Sequence, residues 1–379
     1  MIPLRYLTSY VDDNSCVNMT LGDDQRPLLG DSSILLAPKI KLSSGYEMPV
    51  LGFGTYKLSG FQCLSAVHCA VETGFRHFDT AYSYENEKDV GDALRTQIKM
   101  GNISRENIFL TTKLWNTHHD PRDVRRICEQ QLKLLGFNYI DLYLLHFPVG
   151  YKNMCDEILK PISDGLLTFS DVDYIETWKA MEELVKLGLV RSIGLSNFNM
   201  EQVQRIIQCS SSKPVVNQVE LWPGFLQKDL VDYCHYNGIV VTAYSPLGQP
   251  NRENHRPTYF FSEGMRRLVK KYKKTSGQIV LRFLVDYGVI PIPKLANPFQ
   301  IRQSLNIFDF KLDDKDTRAL LGIKTKKRIV KYDLAKYHPF YPFEREEESQ
   351  YQDIYNPKNI ILTQKKRDST SNEGNQDEE

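Results

Sequence analysis

With 379 residues, 41% hydrophobic and 25% charged, the chain has the composition of an ordinary globular protein able to bury a substantial core in one large domain or two. A formal net charge of +1 gives no electrostatic reason for nucleic acid or an acidic membrane to be the main partner, and no apolar run approaches the ~18 residues that would cross a bilayer. Seven cysteines (Cys16, Cys63, Cys69, Cys128, Cys155, Cys209 and Cys234) form an odd set with no C-x-x-C pair, which reads as reduced thiols rather than a zinc or disulfide framework. The first thirty residues lack the continuous apolar segment of a signal peptide, so the expected location is the cytoplasm.

In chain order, residues 1–36 mix Asp, Asn, Ser and Pro with short apolar pieces and no sustained period, and are expected to form a poorly ordered extension. From Pro38, K-I-K-L, S-S-G-Y and M-P-V-L-G predict a β-hairpin that closes the bottom of a barrel, and the first barrel strand follows through Thr55. Strand and helix patterns then alternate, the signature of a parallel sheet wrapped by helices. One strand ends in F-D-T at Asp79, and Ile108–Trp115 and Tyr139–Phe147 are the next apolar, β-rich runs. Val190–Ser196, Pro214–Leu221, Ile239–Ser245 and Val289–Pro293 complete a count of eight strands. Between them, helix Phe61–Thr73 carries Leu64, Val67 and Val71 on one face, and helix Pro121–Leu135 carries Val124, Ile127, Cys128, Leu132 and Leu135.

Two connections, Pro148 to Tyr174 and Gln249 to Phe261, exceed the few residues usual between strand and helix. Both leave from the strand ends where barrel active sites lie, and are expected to cover a cofactor and shape a substrate pocket. Asp313–Leu321 reads as one more helix, followed by a Tyr-, His- and Pro-rich segment to Phe343 that is expected to fold over the mouth. From residue 344 the alternating charged blocks predict a solvated, disordered tail. Residues 37–343 are therefore expected to form a (β/α)8 TIM barrel.

The stretch F-D-T-A-Y-S-Y-E-N-E from Phe78 places a carboxylate, Asp79, and a phenol, Tyr84, near one strand end. Asp79 and Lys113 are 34 residues apart and Lys113 and His146 are 33 apart, while a barrel uses about 31 residues per strand-helix unit. Each step is one unit around the barrel, so all four side chains are expected at one mouth. An ammonium beside a phenol favours phenolate and eases proton donation; Asp79 would hold the ammonium, and His146 would orient a carbonyl oxygen. Such a set suits carbonyl reduction, with hydride from a cofactor, since no side chain supplies it. No G-x-G-x-x-G is present. Ser196, Asn197, Gln218 and Tyr244 recur instead at later strand ends, with groups able to bind a carboxamide and to stack on a flat ring. A helix cap is the plain alternative for Ser196 and Asn197, and barrel packing for Tyr244.

The ordered motifs G-F-R-H-F-D-T-A-Y-S-Y-E-N-E, T-K-L-W, L-L-H-F-P, G-L-S-N-F-N, N-Q-V-E, A-Y-S-P-L-G and I-P-K resemble the aldo-keto reductase superfamily, in its aldose and aldehyde reductase branch, from about Pro38 to Phe343. The resemblance implies a monomeric enzyme that reduces small-molecule aldehydes and ketones with NADPH held across the barrel mouth. Tyr84 is then the proton donor, tuned by Asp79 and Lys113, with His146 orienting the carbonyl. Ser196, Asn197 and Gln218 fall at carboxamide positions and Tyr244 at the residue stacked on nicotinamide. Thr55, Lys57, Ser245, Leu247, Lys294 and Ser304 fall beside the cofactor; Tyr56, Trp115 and Phe147 line the substrate pocket. Leu295, Gln300 and Ser304 stand where this branch commonly has Ser, Arg and Asn around the adenosine 2′-phosphate, which makes NADH use an alternative. A nucleotide-binding regulatory protein on the same barrel is the reading from another class.

Overall fold

The computed structural model describes residues 34–250, 257–325 and 327–344. An antiparallel hairpin, β1 (Lys39–Lys41) and β2 (Glu47–Pro49), precedes the barrel. The strand-helix alternation then runs β3 (Phe53–Gly54), α1 (Gly60–Thr73), β4 (His77–Asp79), α2 (Glu87–Lys99), β5 (Phe109–Leu114), α3 (Pro121–Leu135) and β6 (Ile140–Leu145). A second small hairpin, β7 (Ile162–Ser163) and β8 (Leu166–Leu167), interrupts it. The series resumes with α4 (Tyr174–Lys186), β9 (Val190–Ser196), α5 (Met200–Cys209), β10 (Val216–Glu220), α6 (Lys228–Tyr236), β11 (Val240–Tyr244), α7 (Glu263–Tyr272), α8 (Ser276–Asp286), β12 (Ile290–Ile292) and α9 (Pro298–Leu305). One further helix, α10 (Asp314–Leu321), follows.

Eight of these strands form one parallel sheet in the order β12-β11-β10-β9-β6-β5-β4-β3. The first strand returns to the last: Gly52 N donates to Pro291 O and Gly54 N to Pro293 O, each at 3.0 Å, and Gly54 bridges Lys294. Glycine allows that closure, because a Cβ at position 52 would stand 2.8 Å from His77 Nδ1. β5 and β6 are buried at every residue, as strands with side chains on one face and helices on the other must be. Their continuous apolar runs follow from this double burial.

The helices dock by their apolar stripes. α3 begins with Asp120 accepting from Arg122 N and Pro121 in the first turn, and ends at Gly136 in the left-handed region. Its buried face comprises the five expected residues and also Gln131. On α1 the buried residues are Cys63, Ala66, Val67, Cys69, Ala70 and Val71, whereas Leu64 is half-buried at their margin. Smaller residues face the wall there because α1 also packs against α2 and α9.

The α2–α3 crossing requires Gly91: a Cβ there would lie 2.2 Å from Leu135 O and 2.6 Å from its Cα, backbone that cannot yield as a side chain could. Gly91→Ala is expected to cost about 1–3 kcal/mol by forcing the helices apart, read as a lower urea midpoint with an unchanged slope. A midpoint equal to wild type would mean that the crossing accommodates the methyl group.

The long connection after β6 is built rather than structureless. It carries the β7–β8 hairpin and a Tyr151–Phe169 bridge, and Trp115 Nε1 donates to Leu159 O at 2.8 Å. Of the second long connection, residues 251–256 lie outside the described residues, as do 1–33 and 345–379, on which the expectations for the extension and the tail fall. No helix among the described residues is long and apolar enough to cross a membrane.

Candidate active site

Lys113 on β5 is fully enclosed, and its ammonium finds three acceptors for three N–H groups. Nζ lies 2.7 Å from Asp79 Oδ1, 2.8 Å from Thr80 O and 3.4 Å from Tyr84 Oη. The other Asp79 oxygen accepts from Gln218 Nε2 at 2.9 Å. This ladder offsets the desolvation of two buried charges, which without partners would each cost several kcal/mol.

Tyr84 sits on a one-turn 3-10 segment, Tyr82–Tyr84, ended by Glu85 in the left-handed region (φ 55°). Asn86 positions that turn: its amide donates to Thr55 O at 2.8 Å and Leu58 O at 2.7 Å, and its oxygen accepts from Thr80 Oγ1 at 2.7 Å. Thr55 Oγ1 in turn donates to Asp79 O at 3.0 Å. Tyr84 meets His146 edge to face at 5.9 Å between centroids, and Trp115 meets His146 at 5.1 Å. The four residues expected together from their spacing are therefore gathered at the ends of β4, β5 and β6.

The electrostatics keep the proton-bearing groups neutral. Burial, followed by the charge of Asp79, pushes the Tyr84 phenol well above its ordinary value; burial, followed by Lys113, holds His146 well below its own. Lys113 is lowered by burial and raised back by Asp79. The direction for Tyr84 is opposite to that expected from a neighbouring ammonium alone. Lys113 directs its shortest bonds to Asp79 and Thr80, and burial outweighs what remains.

On the next strand ends, Asn197 (φ 63°) donates from Nδ2 to His146 O at 3.0 Å and to Ser196 Oγ at 3.2 Å, and its oxygen accepts from Tyr244 Oη at 2.8 Å. This hydroxyl bond fixes the Tyr244 ring, which is half-buried at the end of β11.

The chain matches the aldo/keto reductase family over residues 50–324. It belongs to that family. It is 40% identical over 317 residues to "Aldo-keto reductase family 1 member A1-A" of Danio rerio, covering 80% of this chain and 98% of that protein. Against the human "Aldo-keto reductase family 1 member C1" the identity is 40% over 316 residues, covering 81% and 98%. Among solved structures, the Bombyx mori aldo-keto reductase in complex with NADP superposes with a TM-score of 0.75 at 37% identity, covering 82% of this chain and 100% of that one. The aldose reductase from Schistosoma japonicum gives 0.77 at 37% identity, covering 82% and 99%. This aldo/keto reductase is accordingly an NAD(P)H-dependent oxidoreductase on a (β/α)8 barrel.

In this aldo/keto reductase the outer positions diverge in what they offer a ligand. Lys57 (φ 61°) is exposed, with Nζ 5.4 Å from the Tyr56 ring centroid. Ser245 Oγ accepts from Gln249 Nε2 at 3.1 Å, and Leu247 O from Tyr259 Oη at 3.1 Å. Lys294 is exposed at the end of β12, but Ser304 Oγ is spent on Gln300 O of its own helix at 2.7 Å. Leu295 is buried, and the Arg302 guanidinium turns toward Cys69 Sγ at 3.7 Å.

Tyr56 lies 5.0 Å from Tyr84 between centroids, and Phe147 is covered by Tyr332, stacked at 4.4 Å and 21°. The fold over the mouth expected for residues up to Phe343 is thus present, but Tyr332, Arg328 and Glu220 as its agents were not singled out from sequence. Glu220 carried a signal: an acid inside a strand that is otherwise apolar or amide-bearing and buried throughout.

Behind the site, buried Glu87 receives Thr112 Oγ1 and Gln131 Nε2, the latter at 2.7 Å, and Gln131 Nε2 also reaches Lys113 O at 3.2 Å. Burial raises Glu87 from 4.5 to about 7. Between those pH values the folded state keeps a proton that the unfolded chain has lost, so stability falls as pH rises through the window. Glu87→Gln removes this titration, and its stability relative to wild type is expected to rise by roughly 3 kcal/mol across the window. Paired urea melts at pH 4.5 and 8 check it; a constant difference between the proteins would contradict the assignment.

Proposed function

We propose that this chain is a monomeric, cytosolic carbonyl reductase that uses NADPH to convert aldehydes and ketones to alcohols, with Tyr84 as proton donor. The observation that carries the reading is the closed shell of acceptors around Lys113, which sets Asp79 and Tyr84 within reach of one ammonium beside a neutral His146. Tyr84 stays protonated until a carbonyl oxygen takes its proton; Lys113, 3.4 Å from Oη, then stabilises the phenolate left behind. His146, kept neutral, donates to the same oxygen and aligns it. A reduced nicotinamide, when bound, supplies the hydride.

The residues present suit that cofactor. Ser196 offers its hydroxyl proton to a carboxamide, Asn197, with its N–H groups engaged by His146 O and Ser196 Oγ, offers the second lone pair of its amide oxygen, and Gln218, with Nε2 engaged by Asp79, offers its own amide oxygen. Tyr244, anchored through its hydroxyl, offers a flat face. Initial rates with a reactive aromatic aldehyde and NADPH test the reading: aldehyde-dependent oxidation that Tyr84→Phe abolishes is the expected result. A folded protein that binds NADPH and reduces no aldehyde would overturn it in favour of a nucleotide-binding regulatory role.

Use of NADH alongside NADPH is a second reading, favoured by the adenosine end of the site. Buried Leu295, neutral Gln300 and an Arg302 turned to Cys69 leave Lys294 as the cation that the matched positions supply. A charge-assisted bond to phosphate is worth about 1.5–3 kcal/mol. The NADPH to NADH ratio of kcat/KM is therefore expected within about tenfold, and Gln300→Arg is expected to raise it about tenfold or more. A wild-type ratio in the hundreds would refute this second reading alone.

A further inference from the structure

Glu220 closes β10 at the mouth with its side chain out of water. Three N–H groups converge on its carboxylate: Oε1 accepts from Trp222 Nε1 at 3.0 Å and Ile329 N at 2.8 Å, and Oε2 accepts from Val330 N at 2.8 Å. A neutral amide in its place would present one oxygen to three donors and turn an N–H toward one of them, so the site calls for a carboxylate. The same strand end grips the segment beyond α10 a second time: Thr325 N donates to Gly224 O at 3.3 Å, and a Cβ at Gly224 would stand 2.5 Å from Thr325 Oγ1.

The gripped segment leads into the pocket wall. Arg328 forks onto both oxygens of Glu344 at 3.0 Å and lies 3.7 Å from the Phe343 centroid, so the two ends of residues 328–344 are tied to each other. Four residues after Arg328, Tyr332 in the left-handed region (φ 53°) stacks on Phe147, the neighbour of His146. Residues 328–344 contribute no strand to the barrel sheet, so their position over the mouth depends on side-chain contacts of this kind.

We propose that Glu220 is a positioning residue: by receiving the Ile329 and Val330 amides it seats residues 328–332 across the barrel mouth and thereby sets Tyr332, stacked on Phe147, as a wall of the substrate pocket. The inference rests on the carbonyl-reductase reading for its kinetic consequence, but not for its structural one. Glu220 acts through the segment and touches no reacting atom.

Two measurements on the full chain test it. Glu220→Gln is expected to lower kcat/KM for a bulky aromatic aldehyde about tenfold or more through KM, with a smaller change for a small aliphatic aldehyde. Tyr332→Ala is expected to shift the same selectivity, and the double variant to be no worse than the more impaired single variant, because both changes act on one wall. Hydrogen exchange supplies the readout that needs no turnover: peptides covering 327–344 should exchange about tenfold faster in Glu220→Gln while peptides of β4, β5 and β6 keep their wild-type protection. Unchanged exchange in 327–344, or equal loosening of the barrel strands, overturns the proposal, as does an unaltered aldehyde selectivity. Absence of turnover in the wild type would count against the reductase reading, and the exchange result would still decide the role of Glu220.

Discussion

Tyr84→Phe is expected to lower kcat for carbonyl reduction by about 10²–10⁴-fold, the range that loss of a general acid commonly gives. The substitution deletes one oxygen and leaves the ring in its edge-on contact with His146 and beside Tyr56. Lys113 loses its longest bond, at 3.4 Å, and keeps those to Asp79 and Thr80. Folding stability should therefore change by about 1 kcal/mol or less, and cofactor affinity should be nearly untouched, because Ser196, Asn197, Gln218 and Tyr244 do not depend on the phenol. Single-turnover kinetics with a fluorescence titration of NADPH separates the two quantities. Turnover within a few-fold of wild type would remove Tyr84 from the mechanism.

Lys113→Met should be severe in both activity and stability. Removing one partner of a buried ion pair leaves the other charge uncompensated, at a cost of about 3–5 kcal/mol. Here the stranded charge is Asp79, which would keep only the Gln218 bond on its side chain, while Thr80 O would lose its ammonium donor. Urea denaturation should show the loss directly, and reduction should fall as in Tyr84→Phe because nothing would stabilise the phenolate. Adding Asp79→Asn to Lys113→Met removes the stranded charge, so the double variant should recover part of the stability and none of the activity. A Lys113→Met protein as stable as wild type would show that the pair is not the tightly satisfied unit its distances describe.

These two variants also separate the roles inside the site. Tyr84 is half-buried at the mouth, where a carbonyl can reach it; Lys113 is sealed in the barrel, where it can act only through its neighbours. Comparable kinetic losses with very different stability losses are the expected signature of that division.

The barrel and the gathering of Asp79, Tyr84, Lys113 and His146 at one mouth were legible in the chain because both follow from the strand-helix repeat. Strand and helix patterns repeat, and steps of 34 and 33 residues from Asp79 to Lys113 to His146 carry each side chain one unit around a closed sheet. The stripe on α3 was legible for the same reason, and only Gln131, which turns inward to Glu87 and Lys113 O, departs from it.

What depended on tertiary structure lies in contacts between residues far apart along the chain and in burial. Gln218 reaches Asp79 across 139 residues, and Glu220 reaches Ile329 and Val330 across 109 and 110. Arg302 could be placed on a helix from sequence, but its turn toward Cys69 follows from how α9 packs on α1. The direction in which Tyr84 is shifted belongs to the same class. A neighbouring ammonium can be inferred from spacing, whereas the enclosure that raises the phenol despite it arises only when the barrel mouth is assembled.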